Sequence, residues 1–353
     1  MLRLKKINKK IGVFSLIDID FTVDKGDYFM LIGQSGAGKS MLLELITGIM
    51  MPDSGDILLN GKSMLQIPTQ KRKLGIVYQK PTLFPHLSVF ENIAYPLKIK
   101  KLRKEEIKRQ VQKLAEDTEI RHLLKRNIHS LSGGEVQRVT IARTLATNPE
   151  VLLLDEPLSF LDIQLKRGML ALLRKLNQHG QTIIHVTHDY DEALSLTNNI
   201  ALIENGTLIQ SGTPKEVFQQ PKSAFVANFT GINNFFKGRL VETEDYSGLK
   251  IFKTDETKIL TNTDQEINSE GYLLIPDDAI TISDEKLLSS AVNNFNGIIT
   301  DLYQTSNGTE VIINIGIELS VKISGYSFEK LKLAIGKMVW ISFKASTIRF
   351  VIN

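Results

Sequence analysis

The segment Gly33-Gln34-Ser35-Gly36-Ala37-Gly38-Lys39-Ser40 is the most informative guide to the fold class of this 353-residue chain. Its spacing matches the G-x-x-x-x-G-K-[ST] pattern of phosphate-binding loops. An apolar run, residues 28–32, precedes it as a predicted strand, and a helical run over residues 39–47 follows it. Glycines let backbone N–H groups converge on phosphate oxygens, and a helix N-terminus adds partial positive charge. The sequence therefore predicts that residues 33–40 bind nucleotide phosphates, with Lys39 on the β- and γ-phosphates and Ser40 on Mg²⁺.

Two adjacent carboxylates follow a second apolar run. Residues 151–154 are Val-Leu-Leu-Leu, and Asp155 and Glu156 come next. Ligands of open α/β sheets bind at the carboxyl ends of the strands. Adjacent acids after an apolar strand also fit a helix N-cap, but the phosphate loop upstream favours chemistry. We therefore expect Asp155 to hold Mg²⁺ and Glu156 to polarise a water that attacks the γ-phosphate.

The chain divides into two differently patterned parts. Up to about residue 230, short apolar strands alternate with helical patterns, which predicts an α/β domain with parallel strands and helical crossovers. Asn205-Gly206 predicts a hairpin between flanking strands. Over residues 231–353 the apolar runs are short and β-prone, which predicts a small antiparallel β domain. Residues 233–240 also resemble residues 293–299, which suggests two related β units.

Composition excludes several classes of protein. Hydrophobic residues make up 42% of the chain and cysteines are absent, so the chain can form a core without disulfides or thiolate metal sites. The net charge is only +4, and we interpret the basic run over residues 98–108 as a solvated helix face, with no nucleic-acid partner. No window approaches the roughly 20 apolar residues of a membrane-spanning helix. We therefore expect a peripheral role at any membrane.

The segment Leu131-Ser132-Gly133-Gly134-Glu135-Val136-Gln137-Arg138 opens a predicted helix and is the most specific signal in the chain. Here the sequence strongly resembles the ATP-binding cassette (ABC) family, whose signature is this segment. Supporting pieces occur in the family's order. Gln79 resembles the Q-loop glutamine, residues 158–162 resemble the D-loop that ends in Asp162, and His188 resembles the switch histidine. Phe160 stands where alanine is usual. The resemblance covers residues 1 to about 230.

This resemblance implies the fold and a mechanism. It implies a P-loop NTPase domain with a helical subdomain at about residues 81–147, and a homodimer that sandwiches two ATP molecules. The signature residues of one copy would face the phosphate loop of the other copy; they are Leu131, Ser132, Gly133, Gly134 and Glu135. His188 would contact the γ-phosphate and hold Glu156 in position, and Gln79 would serve both Mg²⁺ and catalysis. The chain would thus be an ATPase with ATP and Mg²⁺ as cofactors.

The sequence departs from the family at the adenine. The family stacks the base on an aromatic residue, where this chain has Ile11, and Phe14 is the nearest aromatic. Either Phe14 takes over the stacking or it belongs to the core and the base is held loosely. His185 lies three residues before His188 on one predicted strand, so the two side chains should point to opposite faces. We interpret His185 as a structural histidine.

The resemblance also implies a transport partner. With no spanning segment, force would pass to a separate transmembrane permease on the cytoplasmic face of the membrane. Residues 81–90 follow the Q-loop and are rich in large apolar groups, which suits docking of a permease helix. Local packing against the helical subdomain is the alternative for some of these residues.

The C-terminal part resembles the TOBE/MOP-like, oligomer-binding-like accessory domain of importer ATPases. Residues 42–46, 290–293 and 343–348 are most similar to those of molybdate/tungstate import ATPases. Val292 stands where that subfamily can carry an oxyanion-binding arginine, so oxyanion feedback lacks its best donor. Sulfate, ferric-ion, polyamine and sugar import ATPases share the architecture, and a non-transport ABC ATPase is a further alternative. An extracytoplasmic substrate-binding protein would choose the cargo.

Overall fold

The computed structural model describes residues 1–219, 221–229, 232–243, 248–305 and 308–352. The chain separates into two compact units, Met1–Val217 and Phe218–Asn353. The predicted domain boundary at about residue 230 falls on residues 230 and 231, which lie outside the described residues. No helix in the described ranges has the length and hydropathy that crossing a bilayer requires.

The first unit is built on a mixed sheet. Its strands are β1 (Leu2–Ile11), β2 (Phe14–Val23), β3 (Tyr28–Ile32), β4 (Ser54–Leu59), β5 (Lys62–Ser63), β6 (Leu74–Val77), β7 (Val151–Asp155), β8 (Thr182–Thr187), β9 (Asn199–Glu204) and β10 (Thr207–Gly212). Their spatial order is β5-β4-β1-β2-β10-β9-β3-β8-β7-β6. Strands β9, β3, β8, β7 and β6 run parallel, as the alternating pattern predicts. Strands β3, β7 and β8 are buried along their whole length, because helices cover both faces of a parallel sheet.

Helices lie between these strands along the chain. They are α1 (Lys39–Thr47), α2 (Val89–Ile99), α3 (Lys104–Asp117), α4 (Gly133–Leu145), α5 (Ile163–Gln178) and α6 (Tyr190–Leu196), and α7 (Pro214–Gln219) follows the last strand. The predicted hairpin is confirmed, since β9 and β10 pair antiparallel and both turn residues, Asn205 and Gly206, have positive φ. Strand β8 ends one residue earlier than expected, so His188 follows the strand and does not end it.

Helices α2, α3 and α4 form a subdomain with its own core. Val89, Ile93, Val111 and Val139 are fully buried members of this apolar cluster, which is distinct from the cluster against the sheet. Capping boxes begin two of the helices. In the box of α2, the Ser88 side chain accepts from the backbone N–H of Glu91, and α4 has the same arrangement. A Ser-x-x-Glu sequence before an apolar helix dictates this start locally.

The second unit is a β domain, as predicted, with short helices. After α8 (Ala224–Phe229) its elements are β11 (Phe235–Val241), β12 (Lys250–Lys253), β13 (Lys258–Thr261), β14 (Glu270–Leu274), β15 (Thr281–Ser283), β16 (Asn293–Thr305), β17 (Gly308–Asn314), β18 (Glu318–Ile323), α9 (Gly325–Lys330), β19 (Met338–Phe343) and β20 (Arg349–Ile352). One sheet has the order β13-β12-β11-β14-β20, and the other has the order β18-β17-β16-β19-β15. The two sheets share one topology and exchange their last strands, so the unit is an internal duplication.

The sequence echo marks this duplication, but its register is shifted by one residue. Asn234 and Asn293 are the equivalent pair, because each is buried and makes two hydrogen bonds to the backbone of one strand residue. Asn234 bonds the N–H and C=O of Ser320 at 2.7 Å each, and Asn293 bonds those of Leu260 at 2.8 Å each. The structural equivalence therefore differs by one residue from an alignment that starts both segments at their first asparagine, Asn233 and Asn293.

Candidate functional site

The phosphate loop joins strand β3 to helix α1 as predicted. Gly36 and Gly38 have φ values of 84° and 100°, a region that side chains with a Cβ rarely adopt. Lys39 begins α1, and its Nζ donates to the carbonyls of Gly33 at 2.7 Å and Gln34 at 2.9 Å. Burial lowers the pKa of Lys39, although the nearby carboxylates of the site act against this. The loop thus holds a partly desolvated cation against neutral carbonyls, which a phosphate could replace as partners.

The end of β7 lies beside this loop. Ser40 Oγ donates to Asp155 Oδ1 at 3.1 Å, although the two residues are 115 positions apart. Asp155 is buried, and this burial raises the pKa of its carboxyl. A hydroxyl and a carboxylate in contact form the kind of oxygen donor set that Mg²⁺ prefers. The residues present therefore fit a magnesium ion.

The Glu156 carboxylate contacts two other predicted site residues, Gln79 and His188. Gln79 Nε2 donates to Glu156 Oε2 at 2.9 Å, and His188 Nδ1 lies 3.1 Å from Glu156 Oε1. The backbone of Glu156 has φ 44°, the left-handed region, and its N–H donates to the carbonyl of Val186 at 2.9 Å. Such a strained conformation persists only where neighbouring contacts impose it, and it is concentrated at functional sites. Strands β6, β7 and β8 deliver these side chains to one edge of the sheet.

The signature segment begins helix α4. Ser132 is the N-cap, and its backbone N–H donates to Glu135 Oε2 at 2.7 Å. Gly133 faces open space, since a Cβ added there would meet no atom within 4 Å. Leu131 packs on the helical subdomain, and Gly134 packs against Leu165. Within the described ranges, no hydrogen bond joins residues 131–135 to the phosphate loop, so the N-terminus of α4 is unused by the loop of the same chain.

The predicted D-loop acid begins the next helix. Asp162 is the N-cap of α5, and its Oδ1 accepts from the N–H groups of Gln164 at 3.0 Å and Leu165 at 2.9 Å. Asp162 is exposed, and so is Phe160. A local N-cap role and an exposed surface position are both compatible with the expected contact to a second copy.

Phe14 lies at the start of β2 and is half-buried. A Cβ added to Gly38 would lie 2.8 Å from Phe14 Cζ, so the ring packs directly beneath the phosphate loop. The same ring lies near Gly206, and it borders the core cluster of the sheet. Ile11 is 44% exposed. Stacking of Phe14 on adenine stays a prediction, and the ring already supports the loop.

A cluster of polar side chains next to the His188 turn was not predicted from the sequence. Lys166 of α5 bonds two acids, Asp189 and Glu192, at the start of α6. Glu192 is buried beside His185, whose Nδ1 lies 2.8 Å from the hydroxyl of Tyr28. In the sequence, only the N-cap position of Asp189, directly after His188, points to this cluster. The partners come from separate elements, so local patterns do not reveal them.

Asn92 and Arg143 position the backbone of residues 81–90, and neither was predicted from the sequence. Asn92 is fully buried, accepts from the N–H of Phe84, and donates to backbone carbonyls of the same segment. Arg143 of α4 donates to the carbonyl of Thr82 at 2.5 Å and lies 5.2 Å from the centroid of the Phe84 ring. The signature helix and this segment are therefore in direct contact.

Comparison with known proteins agrees with this geometry. The ABC transporter family model matches residues 16–159, and the TOBE domain model matches residues 289–350. The molybdate/tungstate import ATP-binding protein WtpC of Pyrococcus horikoshii is 38% identical over 350 residues, which are 99% of each chain. WtpC of Thermococcus kodakarensis is 43% identical over 84% of this chain and 87% of its own. The spermidine/putrescine import ATP-binding protein PotA of Protochlamydia amoebophila is 35% identical over 95% of this chain and 92% of its own.

Solved structures match the first part of the chain. The protein cbiO1 of Clostridium perfringens, part of the ABC transporter complex cbiONQ, aligns with a TM-score of 0.59 and 34% identity over 62% of this chain and 90% of its own. A dimeric ATP-binding cassette in a post-hydrolysis state with ADP and phosphate aligns with a TM-score of 0.55 and 29% identity over 61% of this chain and 99% of its own. The chain therefore belongs to the ABC transporter family, as an ATP-hydrolysing subunit of the import type with a C-terminal TOBE domain.

Proposed function

We propose that this chain powers the uptake of molybdate or tungstate, as a homodimer bound to a transmembrane permease on the cytoplasmic face of the membrane. An extracytoplasmic binding protein supplies the cargo to that permease. The domains that carry these roles are the ATP-binding part, residues 1–230, and the accessory part, residues 231–353. The cargo follows from the resemblance to WtpC relatives over nearly the whole of both chains.

The observation that carries the hydrolytic role is the pair of contacts on the Glu156 carboxylate. Gln79 and His188 occupy one oxygen each, at 2.9 Å and 3.1 Å, and so fix the orientation of the carboxylate. A fixed carboxylate next to a phosphate site is suited to orient a water and accept its proton. His188 is more than half exposed, so it remains accessible to a bound γ-phosphate.

The phosphate loop contributes charge. On ATP binding, the Nζ of Lys39 exchanges the carbonyls of Gly33 and Gln34 for β- and γ-phosphate oxygens, which are stronger acceptors because they are charged. Ser40, Asp155 and Gln79 would hold Mg²⁺, and Ser40 and Asp155 are already in contact. When bound, Mg²⁺ neutralises part of the phosphate charge.

Dimerisation completes the site. The N-terminus of α4 with Ser132 and Gly133 is a helix end of the kind that binds anions, and no hydrogen bond of the described residues connects it to the phosphate loop of its own chain. In the homodimer it contacts the γ-phosphate of ATP held by the second copy. ATP thus closes the dimer and hydrolysis opens it, because only the triphosphate engages both copies.

The experiment that tests the cargo measures uptake in cells that lack this subunit. Complementation with the wild type should restore molybdate or tungstate accumulation, and complementation with Glu156→Gln should not. Cells are offered molybdate, tungstate, sulfate and spermidine in parallel. Restoration of spermidine uptake alone would favour the second candidate function, polyamine import, which the PotA relatives support.

A further inference from the structure

We propose that Lys166 is a positioning residue that couples the D-loop end of α5 to the turn that carries His188. The inference rests on the proposed roles of His188 and of the dimer. Lys166 contacts neither the phosphate loop nor Glu156 in the described part of the chain. It would therefore act on turnover through its neighbours.

The first observation is a two-acid contact. Lys166 Nζ lies 2.5 Å from Asp189 Oδ2 and 2.8 Å from Glu192 Oε1. All three groups are at least half-buried, and the side chain of Glu192 is only 4% exposed. Burial lowers the pKa of Lys166, but the hydrogen bonds to the two acids outweigh this effect and raise it. The ammonium is therefore a fixed charge in this contact over the physiological range.

The second observation is how Asp189 is used. Its Oδ1 caps α6 by accepting from the N–H groups of Asp191 and Glu192, and its own N–H donates to Thr187 Oγ1 at 3.1 Å. Its remaining oxygen is the one bound by Lys166. His188 directly precedes Asp189. The contact of Lys166 with Asp189 therefore restrains the backbone next to the His188 imidazole.

The third observation links Lys166 to the D-loop. The backbone N–H of Lys166 donates to the carbonyl of Asp162 at 2.8 Å, so both residues belong to the first turn of α5. In the proposed dimer the D-loop faces the second copy. A displacement of the D-loop by that copy would then move Lys166, and with it the Asp189 turn and His188.

The buried end of the cluster leaves Glu192 dependent on Lys166 for its charge pairing. His185 Nε2 lies 3.4 Å from Glu192 Oε2 but makes no hydrogen bond, and burial lowers the pKa of His185 to about 3. His185 is therefore neutral at physiological pH. Among the described residues, Lys166 is then the one cation paired with Glu192, and removing one partner of a buried pair is destabilising.

A double-mutant cycle on ATP turnover tests this role. The purified full chain is assayed with radiolabelled ATP and Mg²⁺ as wild type, Lys166→Met, His188→Ala and the double variant. We expect Lys166→Met to lower kcat about tenfold with less than about a twofold change in the KM for ATP, since the lysine touches no substrate. In the His188→Ala background the same substitution should change kcat by less than about twofold. Lys166→Arg should restore turnover.

The controls separate this inference from the proposed function. Lys175→Met removes the same charge from the last turn of α5 and should keep wild-type turnover. If Lys166→Met does not fold, the combined variant Lys166→Met/Glu192→Gln takes its place in the cycle. This variant removes the charges of Lys166 and Glu192 together, so that Glu192 is not left as a buried unpaired carboxylate. Equal losses in both His188 backgrounds, or wild-type turnover of Lys166→Met, would overturn the positioning role alone. Wild-type turnover of His188→Ala would instead overturn the proposed role of His188.

Discussion

Glu156 shows how one residue can be both strained and over-determined. Its backbone lies in the left-handed region, at φ 44°, while its N–H, its C=O and both carboxylate oxygens all have partners. Ser159 Oγ donates to its carbonyl at 2.6 Å. These contacts offset the cost of the strained backbone, and they leave the carboxylate in one orientation for its chemistry.

We predict that Glu156→Gln abolishes turnover and preserves ATP binding. The amide cannot accept a proton, and a positioned general base contributes about 10²–10⁴-fold to a rate. Steady-state phosphate release and equilibrium ATP binding measure the two properties separately. Equal turnover of the variant and the wild type would contradict the role of Glu156.

His185 gives a prediction about pH and stability. Its pKa falls from 6.5 to about 3 in the folded chain, with burial as the main cause. Between these two values the unfolded chain binds a proton that the folded chain does not. The free energy of unfolding therefore falls as the pH falls through this window, by up to about 1.4 kcal/mol per pH unit.

We expect His185→Gln to reduce the loss of unfolding free energy at low pH, because glutamine can accept a hydrogen bond from Tyr28 but does not titrate. Urea unfolding at a series of pH values between 4 and 7 measures the slope, monitored on the ATP-binding part. His179→Gln, at an exposed position of the same part of the chain, is the matched control and should leave the slope unchanged. An unaltered slope in His185→Gln would show that the buried imidazole is not responsible.

At the scale of elements, α4 is the connection between the signature and residues 81–90. Ser132 begins this helix, and Arg143 in its last turn contacts Thr82 and Phe84. The Phe84 ring also packs on Tyr95 with centroids 4.5 Å apart. Residues 81–90, the proposed docking segment, therefore partly serve local packing, in agreement with the alternative interpretation. The segment also contacts α4, the helix whose N-terminus would contact the ATP of the second copy in the proposed dimer.

We predict that Phe84→Asp or Leu87→Glu uncouples transport from hydrolysis. A charge in the apolar segment would disfavour docking of a permease helix, while the phosphate loop is untouched. ATP binding by the purified chain should stay at the wild-type level, and cargo uptake by cells carrying the variant should be lost. Ile99→Asp, at an exposed position in the same subdomain, serves as control. Wild-type uptake in both docking variants would remove the assignment.

The elements themselves were largely predictable, and the contacts between them were not. Strand β3, the phosphate loop and helix α1 follow from glycine spacing and apolar runs within about twenty residues, and the capping boxes of α2 and α4 follow from Ser-x-x-Glu. Lys166 meets Glu192 across 26 positions, and Arg143 meets Thr82 across 61. Such pairs depend on tertiary packing, so no periodicity marks them. The shifted register of the Asn234 and Asn293 repeat has the same cause, since only the pairing of strands shows which asparagine is buried.

For the molecule as a whole, the proposed mechanism requires that ATP join two copies of this chain. The phosphate loop and the exposed N-terminal end of the signature helix are both present. No hydrogen bond of the described residues connects the two within one chain. Each copy alone would therefore lack the contribution of Ser132 and Gly133 to its bound triphosphate. The proposed transport cycle depends on this incompleteness, because closure and opening of the dimer are what the permease would sense.

Small-angle X-ray scattering of the Glu156→Gln variant tests whether ATP joins two copies, since the variant should bind ATP without consuming it. With ATP and Mg²⁺ we predict a particle of twice the 39.6 kDa mass of the chain, and with ADP a shift toward single chains. Ser132→Arg, which would block the signature helix end, should remain monomeric with ATP. A mass of one chain for Glu156→Gln in saturating ATP and Mg²⁺, at every protein concentration measured, would show that ATP does not join two copies.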